Sequence, residues 1–268
     1  MAPEPAELFD TRVRALRRDR ASRSGPVLFL YERAFSDVVE RLSGIRRNFD
    51  SALLIGAPDP GWPKRLAGVA GKVVIVDPGE RFAAAAGGGV VVEDAIDLEP
   101  ASFDLCVAVG TLDTVGDLPG ALLRLRFLLR PDSLLIGAVA GGETLPRLRD
   151  AMRAADSAMG AATPHVHPRI EPAALAQLLA SVGFAMPVVD VDRVHVSYRS
   201  FRHLVADLRG MAATNVLKSR ARMPLNRKAL AAAEEEFGAT EDTPAAERFE
   251  LVHFAAWTPT AVTPADDG

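Results

Sequence analysis

Between residues 31 and 49 the apolar positions Phe35, Val38, Val39, Leu42 and Ile45 recur three and four apart, the stripe of an amphipathic helix with one face on a core. Short apolar runs follow at 51–56, 72–77, 90–92, 103–109 and 134–139. Their length and their valine and isoleucine content predict strands buried on both faces, as in a parallel sheet. The intervening sequence has a helical period. Leu118, Leu122, Leu125 and Leu129 share one face of a helix over 117–129, with Pro119 tolerated in its first turn and Arg130-Pro131-Asp132 as its stop. Leu145, Leu148, Met152, Ala155 and Met159 predict a second helix, and Leu175, Leu178, Leu179 and Val182 a third that Gly183 closes. Beyond it, β-type runs at 188–198 and 249–257 enclose helices over 201–211 and 226–237.

Strands and helices alternating at these lengths imply an α/β fold: a doubly wound, mostly parallel sheet with helices on both faces. Such a sheet binds ligands beyond the carboxyl ends of its strands, where the strand order reverses. No internal repeat divides the chain. The expected organisation is an arginine-rich helical segment over 1–30, the main domain over 31–257, and a frayed tail over 258–268 that carries Pro259, Pro264 and an Asp-Asp-Gly end.

Composition narrows the class. With 49% hydrophobic and 25% charged residues in 268, the chain is neither disordered nor collagen-like. The apolar run at 133–142 is too short for the roughly 18 residues of a membrane span, and the start has no apolar leader core, so neither membrane insertion nor secretion is expected. The single cysteine, Cys106, lies inside an apolar strand and reads as a small buried hydrophobe in a reducing, cytoplasmic setting. A net charge of −4 gives no general attraction to nucleic acid. One basic cluster exists: Arg12, Arg14, Arg17, Arg18, Arg20 and Arg23, interleaved with Glu4, Glu7, Asp10 and Asp19. That interleaving predicts a solvated helix face, rather than a transit peptide or a docking patch.

The architecture points to the loop after the first strand, Gly56-Ala57-Pro58-Asp59-Pro60-Gly61-Trp62. Its two prolines remove two N–H donors and Asp59 repels phosphate, so a dinucleotide is a poor guest, and no P-loop is present. Asp77 ends the second strand, where a carboxylate can accept from both hydroxyls of a ribose; it can equally be a turn-former before Pro78-Gly79. Glu93 and Asp94 follow the third strand, within reach of an adenine amino group, and Gly110 and Thr111 follow the fourth, on the substrate side. His165 and His167, with Glu143, have the composition of an iron-binding facial triad, but His-x-His pairs are common in loops and no metal site is assigned. Thr144 or Glu143 reads as the cap of the helix after the fifth strand. No Ser-His-Asp set or Cys-x-x-Cys pair suggests a hydrolase or a zinc site.

Several blocks are more specific: Phe9-Asp10, Arg17-Arg18-Asp19-Arg20-Ala21, Arg47-Asn48-Phe49, Asp117-Leu118-Pro119, Gly141-Gly142-Glu143-Thr144-Leu145, Pro164-His165-Val166 with Pro168, and Asp207-Leu208-Arg209-Gly210-Met211 with Thr214-Asn215. With them the chain resembles, from Phe9 to Trp257, the class I S-adenosylmethionine-dependent methyltransferases. Within these it is similar to the branch of the mitochondrial complex I assembly factor regarded as an arginine hydroxylase. The resemblance implies a seven-stranded Rossmann-like sheet, S-adenosylmethionine as cofactor, and a protein substrate or partner, a respiratory complex I subunit, met through residues 141–215. It places Gly56, Ala57, Asp59 and Gly61 at the methionine end of the cofactor, Asp77 and Pro78 at the ribose, Glu93 and Asp94 at the adenine, and Gly110 and Thr111 beside them. The chain departs from the family pattern at Leu54, where an acid is usual, at Pro58, where a glycine is usual, at Val92, and at Asp113-Thr114, where relatives carry His-Trp. Those departures carry a second expectation, a non-catalytic assembly or scaffold protein that keeps the fold.

Overall fold

A computed structural model describes residues 8–260. Its strands are β1 (Phe49–Ile55), β2 (Ala70–Asp77), β3 (Gly89–Val90), β4 (Phe103–Val109), β5 (Leu129–Ala140), β6 (Ala185–Tyr198) and β7 (Ala245–Trp257). They form one sheet in the order β3-β2-β1-β4-β5-β7-β6. The pairs from β3 to β5 are parallel, and β7 runs antiparallel to both β5 and β6. The seven-stranded, doubly wound sheet expected from the sequence is therefore present. The order reverses between β1 and β4, and the crevice above that point is the fold's ligand position.

The helices are α1 (Thr11–Ser24), α2 (Phe29–Gly44), α3 (Trp62–Leu66), α4 (Glu80–Ala86), α5 (Leu118–Leu128), α6 (Pro146–Met159), α7 (Pro172–Ser181), α8 (Phe201–Gly210) and α9 (Arg227–Phe237). The two-residue alternation of the central strands decides which helix covers which face. Leu53, Ile55, Cys106 and Ala108 point to the side where Leu122 and Leu125 of α5 and Leu175 and Leu179 of α7 pack. Ala52, Leu54, Leu105 and Val107 point to the other, against Phe35, Val38 and Leu42 of α2 and Trp62 and Leu66 of α3. Phe35 and Trp62 stack with centroids 4.1 Å apart. A third cluster joins α6, α8 and α9 over Tyr198 and Phe249, beyond the C-terminal half of the sheet. The Cys106 thiol is buried and burial raises its pKa, so it behaves as the expected small hydrophobe.

Several element limits differ from the sequence expectation. The helix expected to reach residue 49 stops at Gly44, because Ile45 turns to an extended conformation and Phe49 already belongs to β1. The run at 90–92 yields only a two-residue edge strand, and Val90 and Val92 are exposed. The cap of α6 is neither Glu143 nor Thr144. Leu145 sits in the left-handed region at φ 63°, which turns Thr144 toward β7, where its hydroxyl donates to the Glu250 carbonyl at 3.1 Å and accepts from the Glu250 N–H at 3.0 Å. The helix start is served instead by Glu247 of β7, whose carboxylate accepts from Leu148 N–H at 2.8 Å and Arg147 N–H at 3.3 Å. No helix among the described residues is long and apolar enough to cross a membrane. Of the tail expected over 258–268, Thr258 is pinned, its hydroxyl donating to the Arg130 carbonyl at 2.6 Å; residues 261–268 lie outside the described residues.

One glycine fixes the centre of the sheet. A Cβ at Gly137 in β5 would lie 1.9 Å from the Ala108 carbonyl oxygen and 2.9 Å from the Phe254 ring. Gly137→Ala is expected to lower stability by about 1–3 kcal/mol or more through overpacking, read as a lower urea midpoint at unchanged slope; an unshifted midpoint would contradict this packing.

Candidate functional site

Three strand ends frame the crevice: Gly56 after β1, Asp77 closing β2, and Gly110 after β4. Gly56 (φ 82°) and Gly110 (φ 67°) both need left-handed backbone. Each also faces a filled space, since a Cβ at Gly56 would meet Thr111 Cγ2 at 2.5 Å and one at Gly110 would meet the Tyr31 ring at 2.2 Å. Tyr31 is fixed there by donating its hydroxyl to the Met211 carbonyl at 2.8 Å, and burial pushes its pKa up to about 12.

The predicted loop turns away from this space. Asp59 Oδ1 accepts from Gly61 N–H at 2.7 Å, an Asx-type turn that leads into α3. Ala57 and Pro58 are buried, and Ala57 donates its N–H to Asp77 Oδ2 at 2.9 Å. Asp94 accepts from Asp117 N–H at 3.3 Å, next to the start of α5.

The two acids expected to meet a nucleoside already hold other partners. Arg18 of α1 grips Asp77 with both arms, Nε to Oδ1 at 2.7 Å and Nη2 to Oδ2 at 2.5 Å. Asp77 Oδ1 also accepts from Gly79 N–H at 2.7 Å, so both carboxylate oxygens are occupied behind buried Pro78. Arg14, one turn earlier, grips Glu93 at 2.7 and 2.6 Å and reaches the Thr111 carbonyl at 2.7 Å. Asp77 and Glu93 are 0% exposed, and Arg14 and Arg18 are 5% exposed. Burial works against the charge of Arg18, yet Asp77 outweighs it and the guanidinium pKa is raised. The solvated face expected of the arginine-rich helix is thus corrected: Arg14 and Arg18 point inward, because the buried carboxylates of Glu93 and Asp77 require charged donors at hydrogen-bond distance. A third pair, Arg169 with Asp113, closes the same rim at the departure after β4.

The motif blocks scattered through the sequence meet where α1 is mounted. Phe9 pairs with Leu217 as an isolated bridge and packs edge-on against His167 at 5.4 Å. Asp10 caps α1 by accepting from Val13 N–H at 3.0 Å. Arg17 donates to Thr214 Oγ1 at 2.7 Å, and Asn215 Nδ2 donates to the Pro164 carbonyl at 2.6 Å. His167 Nε2 accepts from Val216 N–H at 2.9 Å, while His165 Nε2 meets Asp156 at 2.8 Å. The two histidines therefore serve separate partners, and among the described residues no cluster of three His, Cys, Asp or Glu side chains could hold a metal.

No protein-family model matches the chain. A zebrafish (Danio rerio) protein named arginine-hydroxylase NDUFAF5, mitochondrial, is 33% identical over 170 residues, covering 62% of this chain and 53% of that protein, about half its length. The mouse (Mus musculus) protein of the same name is 29% identical over 270 residues, covering 96% of this chain and 79% of that protein. Among solved structures, the YcgJ protein of Bacillus subtilis superposes with a TM-score of 0.57 at 11% identity, covering 85% of this chain and 98% of that one. A putative methyltransferase of Bacillus halodurans gives 0.56 at 11% identity, covering 84% and 98%. The chain has the class I methyltransferase fold. Its similarity to the arginine-hydroxylase relatives runs over almost its whole length.

A phosphoethanolamine N-methyltransferase of Haemonchus contortus, solved with S-adenosylhomocysteine, superposes with a TM-score of 0.52 at 15% identity, covering 84% of this chain and 52% of that one. Here the space left among Arg14, Arg18, Tyr31, Gly110 and Asp113 is about 30 Å³. A neighbouring cavity beside Leu30, Tyr31 and Gly110 holds about 70 Å³. Small-molecule sites run from roughly 300 Å³ upward. In this conformation the residues do not fit S-adenosylmethionine: Asp77 and Glu93, the acids expected at the ribose and the adenine, are paired with arginines and the volume is filled. Arg18 stands inside one of the specific sequence blocks, but nothing in its local sequence marks it as turning toward Asp77.

Two outcomes follow from this geometry. Arg18→Ala strands a buried carboxylate and is expected to cost about 3–5 kcal/mol; adding Asp77→Asn should return part of that loss in denaturant titrations, and no return would contradict the pairing. His167 is neutral, with burial and then the charge of Arg169 holding its pKa down at about 4. Its unfolded value is near 6.5, so its contribution is complete above pH 6.5 and is lost as pH falls toward 4, by roughly 3 kcal/mol at most. The urea midpoint of the wild type should therefore fall more steeply over that window than that of His167→Gln.

Proposed function

We propose that the chain acts on or binds a protein partner in the manner of its arginine-hydroxylase relatives, with the crevice above β1, β2 and β4 shut by α1 in the state described. The observation that carries this reading is the similarity to the mouse relative across 96% of the chain, together with the class I methyltransferase fold of the chain itself. By resemblance the partner is a respiratory complex I subunit, met through residues 141–215. The ligand assigned to the crevice is S-adenosylmethionine, and the residues assigned to it are Gly56, Ala57, Asp59, Gly61, Asp77, Pro78, Glu93, Asp94, Gly110 and Thr111. Binding requires Arg14 and Arg18 to leave their carboxylates, and affinity is reduced by the fraction of molecules in which they have done so. The lone buried cysteine suits a reducing compartment, the cytoplasm in our reading; the relatives' names carry the word mitochondrial.

A second reading, a non-catalytic assembly protein, is favoured by one specific observation: both nucleoside acids are saturated by arginines of the same chain. Calorimetric titration separates the two. Wild-type protein is expected to give no heat with S-adenosylmethionine below roughly millimolar concentration, and Arg14→Ala/Arg18→Ala to bind about tenfold tighter or better, the removed arginines no longer competing. Silence from both proteins, the variant keeping a cooperative thermal melt above the titration temperature, would leave only the non-catalytic reading. Micromolar binding by the wild type would show that α1 is no barrier.

A further inference from the structure

An adjoining side of α1, roughly a third of a turn round the helix, borders a different space. Arg17 and Arg20 line an open cleft of about 640 Å³ together with Arg209 at the end of α8 and Arg220 and Arg222 in the segment before α9. Asp156 is the one carboxylate on its wall among the described residues, and His165 and the Thr163 N–H already engage it. Of the five arginines, Arg220 reaches Asp10 at 3.1 Å and Arg17 a hydroxyl. Arg20, Arg209 and Arg222 are exposed and make no ion pair or side-chain hydrogen bond among the described residues. Desolvation and then the neighbouring charges of Arg220 and Arg20 lower the pKa of Arg17, and Asp10 offsets them only in part. A protein of net charge −4 has gathered five guanidinium groups around one opening.

The floor is apolar. Met152, Met159, Val205 and Leu225 line the cleft, and it runs into a second cavity of about 420 Å³ bounded by Leu145, Leu148, Phe201, Leu208 and Leu230. Met223, at 76% exposure, stands at the mouth. Guanidinium forks match carboxylates two bonds at a time, and flexible methionine floors accept varied apolar side chains. A small anion would use the rim and leave the floor in water. A nucleic acid would want stacking rings, and the arginine-lined cleft has no Phe, Tyr or Trp on its wall, its one ring, His165, being held by Asp156 at 2.8 Å. We propose that this cleft receives a segment of a partner protein in which acidic and apolar residues are interspersed. The inference deepens the partner-binding reading above and rests on it, but it concerns a site lined by other residues than the crevice assigned to the cofactor.

The test is fluorescence anisotropy with the full chain and a short fluorescein-labelled peptide of alternating glutamate and leucine. A peptide of alternating lysine and leucine, inorganic phosphate and a single-stranded oligonucleotide serve as competitors. The wild type should bind the acidic peptide, more weakly as salt is raised. Arg209→Glu/Arg222→Glu should bind it at least about tenfold less tightly, two charge-assisted contacts having been reversed. Lys72→Glu/Arg124→Glu, an equal change of charge remote from the cleft, should bind as the wild type does, and matching thermal melts keep both comparisons among folded proteins. Equal binding by the Arg209/Arg222 variant, equal binding of the lysine peptide, or displacement by phosphate or oligonucleotide at lower concentration than the unlabelled acidic peptide would each overturn the proposal. Since the readout is a synthetic peptide, its failure leaves the cofactor titration unaffected, and a silent titration leaves the peptide result standing.

Discussion

Everything at the carboxyl edge of this sheet depends on one buried contact, the two-armed grip of Arg18 on Asp77. A carboxylate that is 0% exposed at a strand end is tolerable only with full hydrogen bonding, and Asp77 obtains it from one guanidinium and two backbone amides. Such a pair adds little net stability, because the desolvation of both ions cancels much of their attraction. Its effect is on placement. Helix α1 has no apolar stripe, and its buried residues are Arg14, Arg18 and Ala21. Polar contacts therefore seat it: Arg14 on Glu93, Arg18 on Asp77, and Asp19 on the N–H of Arg81 at 2.9 Å. The approach is close enough that a Cβ at Gly79 would lie 2.7 Å from the Cβ of Arg18.

Helix α1 is a wall shared by two spaces. Residues 14 and 18 face the sheet, while 17 and 20, roughly a third of a turn further round the helix, border the cleft lined by α6 and α8. Asp10 and the Phe9–Leu217 bridge anchor the start of the helix.

The architecture was readable because burial imposes period. β4 is buried at every position, and α5 carries its leucines on one side, so strands, crossover helices and sheet class follow from hydrophobic spacing. The site was readable only as positions. Gly56, Asp77, Glu93 and Gly110 do lie at the strand ends the fold assigns to a ligand, but which groups face them is a long-range matter. Arg14 and Glu93 are 79 residues apart, and Arg18 and Asp77 are 59 apart. An arginine destined for a buried carboxylate has the same local sequence as one destined for water, so charge interleaving in 10–23 predicted the wrong environment for two of them. The α6 cap failed for the same reason, since Glu247 reaches it from a strand about a hundred residues further on.

The antiparallel strand β7 has a consequence for how the molecule is made. β6 pairs with β7 alone, from Ala185↔Trp257 to Tyr198↔Ala245. While the ribosome is still producing residues 199–244, the amide groups of 185–198 have no sheet to join. Synthesis therefore leaves a fourteen-residue strand without its only neighbour until β7 has emerged, an interval in which its unpaired amides are open to foreign strands.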